Sequence, residues 1–142
     1  MKISLTKLAK ENERRHVILT IQKRLPEHIH AACQLSCDYW AEAAAKDYIL
    51  LMMKTEGKIE IVCQRCLQVF FYDYRHETQL AVCSKEMVAE RLMDQYECVV
   101  SDNYQVDLTE LLTDELHLHA PEKHFDPAEC DGDIKQYIHD II

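Results

Sequence analysis

Residues 47–83, DYILLMMKTEGKIEIVCQRCLQVFFYDYRHETQLAVC, carry the densest strand-forming pattern of this chain. Aliphatic and β-branched residues favour extended structure, and the glycine at position 57 predicts a hairpin that joins strands at 47–55 and 58–63. Farther on, apolar or aromatic residues occupy every second position, which predicts a strand at 69–82. The stretch therefore predicts three consecutive antiparallel strands.

Two more strands are predicted before this stretch. HVILTIQ, residues 16–22, is apolar and β-branched, as strands often are. In IHAACQLSCDY, residues 29–39, apolar and polar residues alternate with a period of two, which is typical of a half-buried strand. The alternation places Cys33 and Cys37 on the buried face, so we interpret both as core residues.

Two helices are predicted after the strands. A helix near 85–95 has a candidate N-cap at Ser84. A helix at 108–119 begins after Asp107, which together with Glu110 resembles a capping box. Its leucines suit a buried face: Leu108, Leu111, Leu112 and Leu116, with Leu118 close to them. The predicted fold class is α+β, in which helices cover an antiparallel β-meander sheet.

The length of 142 residues predicts a single domain, 1–142, with an irregular tail through Gly132 and a short helix after it. No window approaches the roughly 18 consecutive apolar residues of a membrane span. The first residues lack the apolar region of a signal peptide. Seven cysteines, an odd number, argue against a disulfide framework. We therefore expect a cytoplasmic protein without membrane contact.

The net charge of −9 is unevenly distributed. Residues 101–142 hold 11 Asp/Glu and 2 Lys/Arg, whereas the charges of residues 1–100 cancel. Residues 1–24 form a basic segment, with 7 Lys/Arg and 2 Asp/Glu. An acidic end repels phosphates and attracts basic partners. Solvation of both ends, without any partner, is the alternative interpretation.

Cys63 and Cys66 form a C-x-x-C motif between two predicted strands. A redox motif of this kind begins a helix, whose dipole lowers the thiol pKa, and no helix is predicted here. The second interpretation is a zinc knuckle, which directs two sulfurs at one tetrahedral ion. Two thiols without a metal are the third.

A zinc site needs two further ligands from elsewhere in the chain. His124 and Cys130 lie in the irregular tail and supply the nitrogen and sulfur donors that structural zinc favours. Asp126 and Glu129 are less suitable because they offer only oxygen. The reserve candidates are Cys83 and Cys98. The cofactor expectation is therefore one structural zinc or none.

Other chemistry has little support in the sequence. With two glycines, the chain lacks a glycine-rich phosphate loop. His117 and His119 lie two positions apart on a predicted helix, so they diverge and are interpreted as surface residues. Asp114 and Glu115 are likewise interpreted as solvated charge. We expect no enzymatic activity.

Phe70, Tyr72 and Tyr74 offer an alternative function. On an open sheet, alternating aromatic residues can stack on nucleic acid bases. The same alternation is explained by a buried strand face, which we favour. A small zinc-binding RNA-binding module remains one alternative function, and a C-x-x-C redox protein remains another.

Three segments together resemble the YceD-like large ribosomal RNA subunit accumulation proteins. They are AACQLSCDYWAEAAA, KIEIVCQRCLQVFF and YECVVSDNYQVDLTELLTDELHLHAP, in this order. The second is similar to the family's strand, C-x-R-C and apolar strand, and the third to its acidic segment with a D-L core and a closing proline. The signature residues are Cys63, Arg65, Cys66, Asp107 and Leu108. A histidine and a cysteine follow the proline, as they often do in relatives.

The resemblance implies a non-enzymatic role in the synthesis or accumulation of 23S rRNA and in ribosome biogenesis. It also implies an association with a large-subunit ribosomal protein or a pre-ribosomal particle. Ribosomal proteins are strongly basic, so an acidic surface would attract one. The candidate contact residues on the acidic helix are Asp107, Glu110, Asp114 and Glu115. The oligomeric state is not indicated.

Overall fold

The computed structural model of the protein describes residues 1–130, and the predicted helix after Gly132 lies outside them. The strands of this part are β1 (Lys2–Ser4), β2 (Arg15–Ile21), β3 (Cys33–Glu42), β4 (Tyr48–Val62), β5 (Val69–Cys83), β6 (Glu97–Val100) and β7 (Gln105–Asp107). The helices are α1 (Leu5–Glu11), α2 (Glu86–Leu92) and α3 (Leu108–His119), and a 3-10 turn follows at Pro127–Glu129.

Strands β2 to β6 form one sheet in sequence order. The first four pair antiparallel, whereas β6 pairs parallel to β5. A parallel neighbour needs a crossover connection, and α2 lies within that connection. Strands β1 and β7 form a separate antiparallel pair. The predicted α+β class and the antiparallel meander are therefore confirmed, and the edge strand β6 pairs parallel to its neighbour.

The predicted hairpin at Gly57 is wrong. Strand β4 runs without interruption through this glycine, which pairs with Tyr74 of β5. A Cβ atom at position 57 would lie 2.5 Å from the carbonyl oxygen of Gln34 and 2.8 Å from the side chain of Leu35. The glycine therefore permits the start of β3 to approach β4 closely, and it does not form a turn.

The strand predicted at 29–39 is shifted toward the C-terminus. Strand β3 begins at Cys33 and extends to Glu42, while Ile29 forms only an isolated antiparallel bridge with Ile61. Ile29 is buried at this bridge. The alternating sequence pattern therefore starts before the paired strand β3 does. Cys33 and Cys37 are buried in the main core, as expected from their position on the apolar face.

The core lies on both faces of the central strands. On one face, α1 and α3 pack against the sheet, and on the other α2 forms a smaller cluster. Neighbouring residues of a strand point to opposite faces, so Leu51 belongs to the main core and Leu50 to the α2 cluster. The helical residues buried in the main core are Leu5, Leu8, Leu108, Leu112 and Leu116.

The helix ends differ in how well they were predicted. The N-cap of α2 is Lys85, without a side-chain hydrogen bond, so the prediction of Ser84 is wrong. Helix α3 has the predicted bounds, and the backbone N–H of Glu110 donates to the Asp107 carboxylate at 3.2 Å. Leu118 is 63% exposed and does not extend the buried face.

The first residues of the chain support the start of α3. Strand β1 pairs with β7, and the N–H of Leu108 donates to the carbonyl oxygen of Met1 at 2.8 Å. The terminal amine of Met1 lies 3.3 Å from the Asp107 carboxylate. Because these contacts join residues a hundred positions apart, no local pattern predicted them.

The helices of residues 1–130 are short. The longest, α3, has 12 residues, which corresponds to about 18 Å at the usual rise per residue. No helix in this part of the chain is long and apolar enough to cross a membrane.

Candidate metal centre

The four candidate ligands predicted from the sequence come together at one end of the sheet. The Sγ atoms of Cys63 and Cys130 lie 3.9 Å apart, and the Nδ1 atom of His124 lies 3.7 Å from Sγ of Cys66 and 3.6 Å from Sγ of Cys130. All four ligand atoms lie within 4.8 Å of one another. All four residues are buried, with exposed fractions of at most 7%.

These separations fit a tetrahedral zinc ion. Zn–S bonds of about 2.3 Å place two sulfurs about 3.8 Å apart, and a Zn–N bond of about 2.1 Å places nitrogen about 3.6 Å from sulfur. The spacings of Cys130 from Cys63 and from His124 lie within 0.1 Å of these values. The residues present would hold a closed Cys3His site, and such sites are structural.

A tight turn positions the first two sulfurs. The N–H of Leu67 donates to the carbonyl oxygen of Cys63 at 2.7 Å, and the N–H of Cys63 donates to that of Gln68 at 3.0 Å. Leu67 adopts a left-handed conformation, with φ of 63°, which reverses the chain. Strand β4 ends just before this turn and β5 starts just after it, so the two strands hold the knuckle in place.

The tail is attached to the knuckle by its own contacts. The N–H of Gln64 donates to the carbonyl oxygen of Glu122 at 2.9 Å. Phe70 of β5 stacks on the ring of His124 with centroids 4.1 Å apart, which fixes the orientation of the imidazole. The Asp126 carboxylate caps the 3-10 turn that leads to Cys130. Asp126 is therefore a capping residue, and Glu129 is exposed.

The surroundings of Cys63 favour a thiolate. Burial alone raises the pKa of this thiol, but the backbone N–H groups of Cys66, His124 and Arg65 outweigh it and lower the pKa to about 6. At Cys130, burial and the neighbouring sulfurs raise the pKa to about 11. Sulfurs this close together cannot all ionise without a positive charge between them, and a metal ion supplies one.

The reserve ligands lie elsewhere. Cys83 belongs to the cluster under α2, and Cys98 packs against the same cluster. The C-x-x-C turn leads directly into β5, so neither Cys63 nor Cys66 begins a helix, as the sequence predicted. The helix-dipole activation of a redox motif is therefore missing from this turn.

The remaining signature residues have structural positions. Arg65 is half-buried in the knuckle, and its Nη1 atom has no hydrogen-bond partner among residues 1–130. Asp107 caps α3, and Leu108 is fully buried at the first position of that helix. The signature residues thus lie in the knuckle turn and at the start of α3, and both are local features of this fold.

The candidate partner-binding residues of α3 differ in exposure. Glu110 is exposed, and the Asp114 carboxylate forms a surface ion pair with Arg24 at 3.5 Å. Glu115 is only 4% exposed, so its interpretation as solvated charge is wrong. Its side chain faces the sheet, because α3 turns this position toward β5, and it is not available to a partner.

The structure also contains a cluster that the sequence interpretation missed. The Nε2 atoms of His76 and His119 both lie close to Oε2 of Glu115, and the two imidazole rings are stacked. His117 diverges from His119, as predicted, and contacts the carbonyl oxygen of Arg24 instead. Burial, followed by the nearby Glu97 carboxylate, raises the pKa of Glu115 to about 7.

The sequence did contain one signal for this cluster. Glu115 and His119 are separated by four positions, which places both side chains on one face of a helix. His76 comes from a strand, so its position opposite them depends on how α3 packs against β5.

Fold and site define a small α+β protein with a buried Cys3His cluster at the junction of two long strands. The family profile described as "Large ribosomal RNA subunit accumulation protein YceD" matches residues 51–140. Because this match covers more than half of the chain, the protein belongs to that family. Neither a curated protein nor a solved structure shows significant similarity to the chain.

Proposed function

We propose that this protein is a non-enzymatic factor that binds a basic large-subunit ribosomal protein, or a pre-ribosomal particle carrying it, and thereby promotes 23S rRNA accumulation. Family membership supports the involvement in large-subunit rRNA. The single structural observation that supports the mode of action is the exposed acidic face of α3. We place this activity in the cytoplasm, where the thiols stay reduced.

The acidic face of α3 is formed by Glu110 and Asp114, which project into solvent one helical turn apart. Asp114 is 58% exposed, so its contact with Arg24 contributes little to stability and can be exchanged for a partner's cation. Complementary charge accelerates encounter and selects basic partners. This surface therefore suits a lysine- or arginine-rich segment.

The proposed role of zinc is to hold the tail against the sheet. The Cys3His cluster joins the turn between β4 and β5 to residues that follow α3. An ion here would make α3 and the tail one rigid surface, because structural zinc contributes directly to folding free energy. The zinc has no catalytic role in this proposal, since all four coordination positions are taken by protein.

RNA binding is the second candidate, and one exposed pair favours it. Phe71 is 60% exposed on β5, and Nζ of Lys58 lies 5.1 Å from its ring centroid. An aromatic ring beside a cation can stack on an unpaired base and contact its phosphate. RNA binding through this pair would depend strongly on salt concentration. Binding of a basic protein to the acidic face of α3 would not need Phe71, so loss of Phe71 would leave it unchanged.

The proposal is tested in a strain that lacks the gene, complemented with variants of the full chain. We expect a double charge reversal, Glu110→Lys with Asp114→Lys, to reduce 23S rRNA and the co-sedimentation of the protein with pre-50S particles. The matched control is Glu13→Lys with Glu77→Lys, two exposed positions of equal charge change. The control should restore 23S rRNA to the wild-type level.

Three outcomes separate the candidates. Equal complementation by both double variants would refute the role of the acidic face. Unchanged rRNA in the deletion strain would refute the function itself. The RNA-binding candidate would be favoured if Phe71→Ala were the one variant that fails to restore 23S rRNA. It would also require that the wild-type protein binds 23S rRNA fragments and loses this binding as salt is raised.

A further inference from the structure

A second group of metal-ligating side chains lies between α3 and β5, apart from the cysteine cluster. The Nε2 atom of His76 lies 3.2 Å from Oε2 of Glu115, and Nε2 of His119 lies 3.1 Å from the same oxygen. The two imidazole rings stack with centroids 3.9 Å apart and planes inclined by 25°. Three potential ligand atoms from two elements therefore converge on one point.

The convergence is not explained by hydrogen bonding. Among residues 1–130, the buried Nε2 of His76 and the buried Oε2 of Glu115 have no hydrogen-bond partner despite their closeness. A carboxylate buried without a partner is costly. No lysine or arginine among the described residues forms an ion pair with Glu115, and Glu97 adds a second carboxylate beside it. The group therefore lacks a positive charge at its centre.

We propose that His76, Glu115 and His119 form a second metal site, which binds a divalent first-row transition-metal ion. Two imidazoles and one carboxylate are a common ligand set for zinc and for iron, nickel or copper. Magnesium and calcium prefer oxygen ligands alone, so they are excluded by the two histidines.

The spacing fits coordination. Bonds of about 2.1 Å from an ion to nitrogen and oxygen place neighbouring ligand atoms about 3.0–3.4 Å apart, depending on the angle between the bonds. The two contacts of Glu115 Oε2 fall inside this interval. His119 is 39% exposed, which leaves an entry path from solvent.

An ion at this position would tether α3 to the sheet. His76 belongs to β5, whereas Glu115 and His119 lie one turn apart on α3. Metal binding would therefore raise the thermal stability of the folded chain, since the ligands converge only after α3 has packed. This inference is independent of the proposed ribosomal function and of metal in the cysteine cluster.

The test is equilibrium dialysis against Co²⁺ of the full chain loaded with a single equivalent of zinc, which the thiolates of the cysteine cluster bind first. We expect wild type to bind one more equivalent of Co²⁺ than His119→Gln, and to do so with the weak visible absorption of nitrogen and oxygen ligands. The affinity for this additional Co²⁺ ion should be lower in His119→Gln by about 100-fold or more. Changing a residue that only supports a metal ligand costs less than this. The melting temperature should rise with Co²⁺ only in wild type.

His30→Gln is the matched control, because His30 is exposed and lies outside both clusters. It should bind Co²⁺ as wild type does. Cys66→Ser should lose ions from the cysteine cluster and keep the additional equivalent. Equal Co²⁺ uptake by wild type and His119→Gln, with both folded, would overturn the proposal. Glu115→Gln is the less informative variant, because a substitution at this buried position disrupts the fold more.

Discussion

The Sγ atom of Cys66 lies 3.7 Å from Nδ1 of His124, although the two residues are 58 positions apart in the chain. The chain between them contains β5 and α3, and the packing of these elements brings the tail back to the turn. The contact therefore reports on the whole fold, and it is the natural point at which to test for a bound ion.

Cys66→Ser is predicted to lose bound zinc and to melt at a clearly lower temperature. Serine cannot replace a thiolate ligand, and a structural zinc ion contributes to folding free energy. Elemental analysis and circular dichroism measure the two effects. The control is Cys98→Ser, a partly exposed thiol outside the cluster, which should keep its zinc. Wild-type protein with less than about 0.2 zinc per chain, and a fold that survives chelation, would contradict a structural site.

Gly57→Ala is predicted to destabilise the protein by about 3 kcal/mol, the upper end of overpacking effects. The new Cβ would lie 2.5 Å from the carbonyl oxygen of Gln34, and a backbone atom cannot move aside as a flexible side chain can. Urea unfolding gives the difference in free energy. Lys54→Ala on the same strand is exposed and should change stability by no more than about 0.5 kcal/mol. If both variants were equally stable, the close approach of β3 would be refuted.

Leu116→Ala is predicted to lower the free energy of unfolding by about 3 kcal/mol, as expected for truncating a fully buried leucine. Leu118→Ala is the matched control on the same helix, because Leu118 is 63% exposed and should change stability by about 0.5 kcal/mol or less. Chemical denaturation of both variants measures the difference. Similar losses would mean that α3 packs with a different face toward the sheet.

Asp107→Ala is predicted to cost about 1 kcal/mol at pH 7 through loss of the N-cap of α3. Burial opposes ionisation of Asp107, but the N–H of Glu110 and the terminal amine outweigh it and lower the pKa of the carboxyl. The folded pKa therefore lies below the unfolded value of about 3.9. The contribution is complete above the unfolded pKa and is lost as pH falls from that value through the folded pKa.

Unfolding free energies measured from pH 7 down to pH 3 check the Asp107 prediction. The difference between wild type and Asp107→Ala should be constant near neutrality and should shrink in acid. Asp102→Ala, at an exposed position five residues earlier, should show neither the loss nor its pH dependence. A difference that grew in acid would have the wrong sign for a cap that is ionised in the folded state.

The wrong predictions for Gly57 and Glu115 have a common cause. Gly57 looked like a turn because glycine is frequent in turns, but here it relieves a clash with a neighbouring strand. Glu115 looked like solvated charge because it follows another acid, but helix packing turns it inward. In both cases the residue responds to something distant in sequence, which local patterns do not contain.

Local sequence patterns were enough to predict the α+β class, the extent of α3 and the four residues that converge at the cysteine cluster. These follow from alternation, from helical spacing with a capping aspartate, and from the chemistry of sulfur and imidazole, all of which are local. Tertiary packing alone brings Cys63, Cys66, His124 and Cys130 to zinc-like distances and places His76 against Glu115 and His119. Those contacts join separate elements, and their geometry depends on how α3 and the tail pack against β4 and β5.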